Sequence, residues 1–112
     1  MLDISTRNFK RTSVVTASGR VDSATAPQLE EAFEALTDES RYRIVFDMGD
    51  VDFISSVGLR VLVDTRRVCR RNNRGDLALA NVSEEIKRTL ELAGFYTLFN
   101  VYDSTVEAVG SI

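Results

Sequence analysis

The chain has no histidine and a single cysteine, Cys69, and these two scarcities remove most familiar catalytic machinery. Serine or cysteine triads need an imidazole base, and structural or catalytic zinc sites need His and Cys in numbers this chain lacks. Cys69 has no intramolecular disulfide partner, and within an expected helix it reads as a small buried hydrophobe rather than a reactive thiol. No Walker-type glycine loop or dinucleotide fingerprint is present. Catalysis by this chain is therefore not expected, and no cofactor is implied. Asp47, Asp50 and Asp52 cluster near one strand end and could hold a divalent cation, but turns routinely use Asp, so no metal site is assigned. No apolar run approaches the length of a membrane span, and the N-terminus lacks the basic-then-apolar order of a secretory signal, so the expected location is the cytoplasm. Basic residues are not in surplus either: 14 Lys and Arg against 17 Asp and Glu leave a formal charge of −3. This balance argues against nucleic acid as the main partner, because phosphate neutralisation needs a cationic excess.

What is present suits one α/β domain. The 112 residues, 44% hydrophobic and 28% charged, suffice for one core but not two. Leu2–Thr6 and Thr12–Gly19 read as strands joined by a polar turn, an antiparallel hairpin. Pro27 stands where a helix tolerates a missing N–H, and Leu29, Ala32, Phe33 and Leu36 then recur at helical spacing, with Gln28, Glu30, Glu31 and Glu34 on the other face. Tyr42–Met48 is a β-rich run with a turn expected at Gly49-Asp50. A helix from Val57 to Asn73 should stop before Gly75, and a buried strand should follow over Gly75–Asn81. Ser83 starts another helix, with Ile86, Leu90 and Ala93 as its apolar stripe and Gly94 as its end. Leu98–Tyr102 reads as a last strand and Ser104–Val109 as a final helical turn or two. Strands alternating with helices imply a mostly parallel sheet, made mixed by the opening hairpin.

The stretch Val51–Arg60 draws attention because a strand passes into a helix there through two hydroxyls and a glycine. Ser55 or Ser56 falls at the helix N-cap, where a hydroxyl accepts from an orphan N–H. Both cannot be the cap, and the spare hydroxyl would stand at the positive helix end, where an added phosphate is favoured. Residues placed at 100° intervals put Gly58, Val61, Leu62, Thr65, Val68 and Cys69 on one arc, taken as the core face. Leu59 and Val63 then share the outer arc with Arg66, Arg67 and Arg70. Apolar groups flanked by guanidinium groups form a candidate protein-binding strip, although a merely solvated face is the plainer alternative.

Three segments, Gly19–Leu29 (GRVDSATAPQL), Phe53–Leu62 (FISSVGLRVL) and Asn81–Gly94 (NVSEEIKRTLELAG), together resemble the bacterial anti-sigma-factor antagonists, stand-alone STAS domains, across essentially the whole chain. The resemblance implies one domain over residues 1–112, with a mixed, mostly parallel sheet of four or five strands and helices packed mainly on one side. It also implies that Ser56 is phosphorylated by a partner anti-sigma serine kinase and reset by a serine phosphatase; Ser55, where family members often carry Asp, is the alternative acceptor. Asp22 matches the acid of the family's Gly-x-x-Asp motif and should lie near the serine. The implied function is partner switching, with Asp22, Ser55, Ser56, Leu59, Val63, Arg66 and Arg70 as the partner-binding set. Rival readings are a small-ligand or nucleotide-binding STAS module and a kinase-independent scaffold subunit.

Overall fold

The computed structural model describes residues 2–72 and 74–112. Strands β1 (Leu2–Asn8) and β2 (Ser13–Val21) form the expected hairpin. They are followed by α1 (Ala26–Asp38), β3 (Arg43–Ile54), α2 (Ser56–Arg71), β4 (Asp76–Ala80) and α3 (Glu84–Leu92). A short 3₁₀ turn at Tyr96–Leu98, strand β5 (Val101–Tyr102) and α4 (Thr105–Ser111) complete the chain. The sheet runs β1-β2-β3-β4-β5 in chain order, antiparallel at β1/β2 and parallel thereafter. Each parallel step needs a crossover, and crossovers of one hand taken always in the same direction put their helices on the same face. Burial agrees: residues of α1, α2 and α3 join Val15, Ala17, Ile44, Phe46, Leu77 and Leu79 in the main core. The strand pleat sends alternate residues the other way, so Val14, Val45 and Ala80 meet Ala108 of α4 on the opposite face.

Individual contacts show why the pattern closes. Phe33 of α1 meets Phe46 of β3 edge-on, with centroids 5.5 Å apart and planes at 87°, and burying each ring contributes about 1.5–3 kcal/mol. Gly58 is where α2 rests on the sheet ends: a Cβ there would lie 2.6 Å from Val21 Cγ1 and 2.8 Å from Ile54 Cγ1.

Several elements depart from expectation. The turn expected at Gly49-Asp50 is absent; β3 runs through to Ile54, and two register shifts against β2 absorb extra residues as bulges. The last strand is shorter than Leu98–Tyr102, because Tyr96–Leu98 closes a 3₁₀ turn first. Ala93 is the C-cap of α3 and is exposed rather than part of its buried stripe. The α2 helix ends at Arg71 with Asn72 as its C-cap, and its expected last residue, Asn73, lies outside the described residues.

Candidate functional site

The site begins where β2 and β3 end side by side. Val21 pairs with Ile54, and the Val21 carbonyl accepts the Ser55 N–H at 2.8 Å, so the chain leaves both strands at one rim of the sheet. The proximity expected for Asp22 follows from this pairing, since Asp22 succeeds Val21 as Ser55 succeeds Ile54. Ser55 is the N-cap of α2: its backbone is extended (φ −85°, ψ 172°) and its Oγ accepts from Gly58 N at 3.3 Å. The Ser55 hydroxyl is thus committed to holding the helix start. Ser56 is the first helical residue and is exposed, and its hydroxyl has no hydrogen-bond partner among the described residues. The spare hydroxyl at the positive end of the helix is that of Ser56.

Asp22 is also committed. Its Oδ1 accepts from Ala24 N at 3.0 Å and Thr25 N at 3.1 Å, shaping the turn that leads into α1. Partial burial pushes the carboxyl up, but bonds from the Thr25 and Ala24 N–H groups and the Thr25 hydroxyl, together with the Arg20 charge, outweigh it and hold the pKa below the ordinary carboxylate value. Asp47 is occupied too: Oδ1 accepts from Gly49 N and Asn81 Nδ2, both at 3.0 Å, and Oδ2 lies 3.3 Å from the Thr105 hydroxyl. It pins α4 to the strand ends, and among the described residues no three His, Cys, Asp or Glu side chains gather as a metal site.

The faces of α2 need correction. Leu59, expected on the outer strip, is 4% exposed and belongs to the main core, whereas Val68, expected in the core, is 40% exposed. The buried residues are Gly58, Leu59, Val61, Leu62, Thr65 and Cys69, an arc rotated by about 40° from the expected one. Val63 is half-buried against the core. Arg66 is largely covered, with Nε 3.7 Å from Asp76 Oδ1 and its guanidinium 6.0 Å from the Phe99 ring centroid. Arg70 reaches the same carboxylate at 3.6 Å. These two arginines are tied to Asp76 and stand down the helix from the serine.

Ser56 instead shares an open groove of about 460 Å³ with Arg60, Val63, Asp64, Arg67 and Phe95. Arg60 follows Ser56 by one helical turn, a spacing that could have identified it. Phe95 comes from beyond α3 and gave no local signal. Beside the serine, Phe53 and Val57 are 39% and 45% exposed, and the Arg20 guanidinium lies 4.3 Å over the Phe53 ring. The arrangement offers an exposed hydroxyl with no hydrogen-bond partner among the described residues, nearby cations and exposed apolar side chains.

The family model for the STAS domain matches residues 3–108. The chain belongs to the STAS domain family. Among curated relatives of this STAS domain is the Bordetella bronchiseptica protein named "Putative anti-sigma factor antagonist BtrV". It is 34% identical over 98 residues, covering 88% of this chain and 84% of the relative. The anti-sigma-B factor antagonist of Staphylococcus epidermidis is 29% identical over 91 residues, 81% of this chain and 83% of its own. The crystal structure of an anti-sigma factor antagonist from Mycobacterium paratuberculosis superposes with a TM-score of 0.89 at 27% identity, covering all of this chain and 94% of that one. The mixed five-stranded sheet with its helices is therefore the STAS fold.

Proposed function

We propose that this protein is an anti-sigma factor antagonist that acts by partner switching in the cytoplasm. In this reading it binds an anti-sigma serine kinase through the rim around Ser56, and the kinase then releases its sigma factor. Phosphorylation of Ser56 ends the contact, and a serine phosphatase restores it. The domain over residues 1–112 acts as a binding module, not an enzyme. The names of its relatives support the antagonist role, and the observation that carries the switch is the exposed Ser56 hydroxyl, without a hydrogen-bond partner among the described residues, beside the capping Ser55.

The physical argument is a difference between the free and bound protein. A phosphate of about −1.5 to −2 charge at the first helical residue sits near the positive end of α2, within the arginine-lined groove, so the free domain tolerates it. At a contact built around exposed Phe53 and Val57, the same group must be desolvated or opposed by partner charge. A penalty of about 1.4–2.8 kcal/mol would weaken binding ten- to a hundredfold, without refolding. Asp22 and Ser55 contribute by fixing the rim; Val63 lies in the groove, while Arg66 and Arg70 lie further along α2. Leu59 contributes from beneath by seating the helix.

The test is a pull-down from the source cell with partner identification, followed by incubation with the captured kinase and ATP and fragment-ion mapping. Phosphate is expected on Ser56, with Ser56→Asp weakening capture and Ser56→Ala retaining it but blocking release. Phosphate confined to Ser55, or equal capture of both Ser56 variants, would overturn the assignment. A ligand retained through purification near Asp22, with no kinase captured, would favour the ligand-module reading instead.

A further inference from the structure

Strand β1 ends the sheet on one side, paired with β2 through all seven residues and with no strand on its outer edge among the described residues. Such an edge presents free N–H and C=O groups that can template another strand, and soluble proteins usually block it with charged side chains, Lys above all, with Pro, with a bulge or with a covering element, so the Asp3 and Arg7 charges decide which strand this edge accepts. β1 (LDISTRN) contains neither Pro nor Lys, and its register against β2 runs from Leu2↔Gly19 to Asn8↔Ser13 without a shift. Among the described residues, one side chain bonds its backbone: Gln28 Nε2 donates to the Leu2 carbonyl at 3.0 Å.

The two charges on β1 are placed symmetrically. Asp3 and Arg7 are exposed and flank Ser5 at equal spacing, on the face opposite Leu2 and Ile4, which point toward the helices. Among the described residues neither makes an ion pair, and the Arg7 guanidinium rests 5.2 Å from the Phe9 ring centroid. An antiparallel pairing with a twofold axis at Ser5 sets Asp3 of each copy opposite Arg7 of the other. It also sets Ile4, half-buried at the rim of the core, opposite Thr6 of the second copy. Moving the axis by one residue either way loses both charge pairs, so the charges specify the register.

We propose that this edge binds a second copy of the same chain, joining two sheets antiparallel about Ser5 of β1. The occupant follows from this charge complementarity: the strand is its own electrostatic complement. Because β1 lies two strands from β3, which leads to Ser56, self-association leaves the rim of α2 uncovered and does not depend on the partner-switching reading. A single seven-residue edge is small beside the roughly 1,200 Å² or more of a stable interface, so the dimer is weak and concentration-dependent.

Sedimentation velocity of the full chain from 10 µM to 1 mM at low salt tests this, with the Ile4 and Thr6 amide resonances, whose N–H groups face the free edge, as local reporters. The expected result is a monomer–dimer transition that Asp3→Arg or Arg7→Asp each weakens about tenfold, since either change places like charges opposite one another twice. The combined Asp3→Arg/Arg7→Asp variant should restore it, because the exchanged charges still meet across the axis. Circular dichroism confirms that each variant is folded. A monomer throughout the range, a dimer indifferent to the single reversals, or failure of the charge swap to restore association would overturn the proposal.

Discussion

Gly58→Ala tests how α2 is seated on the sheet. The substitution alone would stabilise by at most about 1 kcal/mol, the helix-interior value, since Ala loses less backbone freedom and has the higher propensity, and Gly58 stands in the first turn of α2. The structure predicts the opposite sign. The new methyl would stand 2.6 Å from Val21 Cγ1 and 2.8 Å from Ile54 Cγ1, inside the distance at which something must move. Both neighbours are β-branched and buried at the ends of β2 and β3, so neither can swing aside into solvent. Overpacking of this kind costs about 1–3 kcal/mol. With two stiff neighbours we take the upper half of that range, and after subtracting the propensity gain the net loss is about 1–2 kcal/mol.

For a chain of this length the unfolding entropy makes each kcal/mol worth about 4 °C, so Tm should fall by about 4–8 °C. Thermal and urea melts followed by circular dichroism measure it directly, with an unchanged urea slope showing that stability alone has moved. Gly110→Ala is the control, since a Cβ there meets nothing within 4 Å, and its Tm should hold or rise. Should Gly58→Ala match or exceed the parent in stability, the close approach of α2 to Val21 and Ile54 is wrong, and with it the geometry of the Ser56 rim.

Ser55→Ala should cost about 1 kcal/mol by removing the cap bond, whereas Ser56→Ala should shift stability by less than about 0.5 kcal/mol; paired urea melts decide, and the reverse order would exchange the roles of the serines. Leu59→Ala, at a buried position, should cost about 2–5 kcal/mol by the same measurement, and a change under 0.5 kcal/mol would return Leu59 to the surface. Burial and then the nearby Asp76 charge push the Cys69 thiol up to about 12, so at pH 8 it should resist an aromatic disulfide reagent in the folded protein and react promptly in urea; stoichiometric native labelling would refute that. Asp22 has a lowered folded pKa, so its stabilising contribution is complete above the unfolded value and is lost as pH falls through the folded one; Asp22→Asn should flatten the acid limb of stability against pH, and an unaltered limb would show the carboxylate bonds contribute nothing.

Much of the fold was legible because local rules agreed with it. Apolar spacing, Pro27 near a helix start and Gly94 past a helix end marked the elements, and their alternation required parallel crossovers. The passage of β3 through Gly49-Asp50 was not legible, since a glycine beside an aspartate reads as a turn unless the opposing strand is known. Pairing with β2, together with the Asp47 carboxylate held by Gly49 N, Asn81 and Thr105, keeps the segment extended. At the rim, the motif located both serines and pointed to Ser56 as the acceptor, but capping rules alone left open which of the two is the helix cap. That choice depends on Ser55 being extended and Ser56 helical, which is decided where Val21 captures the Ser55 N–H.

The rotated face of α2 has a different cause. Leu59 and Arg66 are seven residues apart and so lie on nearly the same helical line; an arginine there signals solvent, and Leu59 was carried outward with it. In the fold that line is the margin of the core, and Arg66 can occupy it because Asp76, 12% exposed in its side chain, supplies a counter-charge while Phe99 offers a ring face. Among the described residues Arg66 Nε is buried without a hydrogen-bond partner, at 3.7 Å from the carboxylate. The attraction is therefore one of charge rather than of a well-formed bond, and Asp76 satisfies its own oxygens through Leu77 N at 2.9 Å and Asn100 at 3.0 Å. Helical periodicity assigns a residue by its own polarity, whereas burial of a cation depends on an anion delivered by another element. Here that anion begins β4, beyond the end of the helix, and only the parallel pairing of β3 with β4 brings it under Arg66.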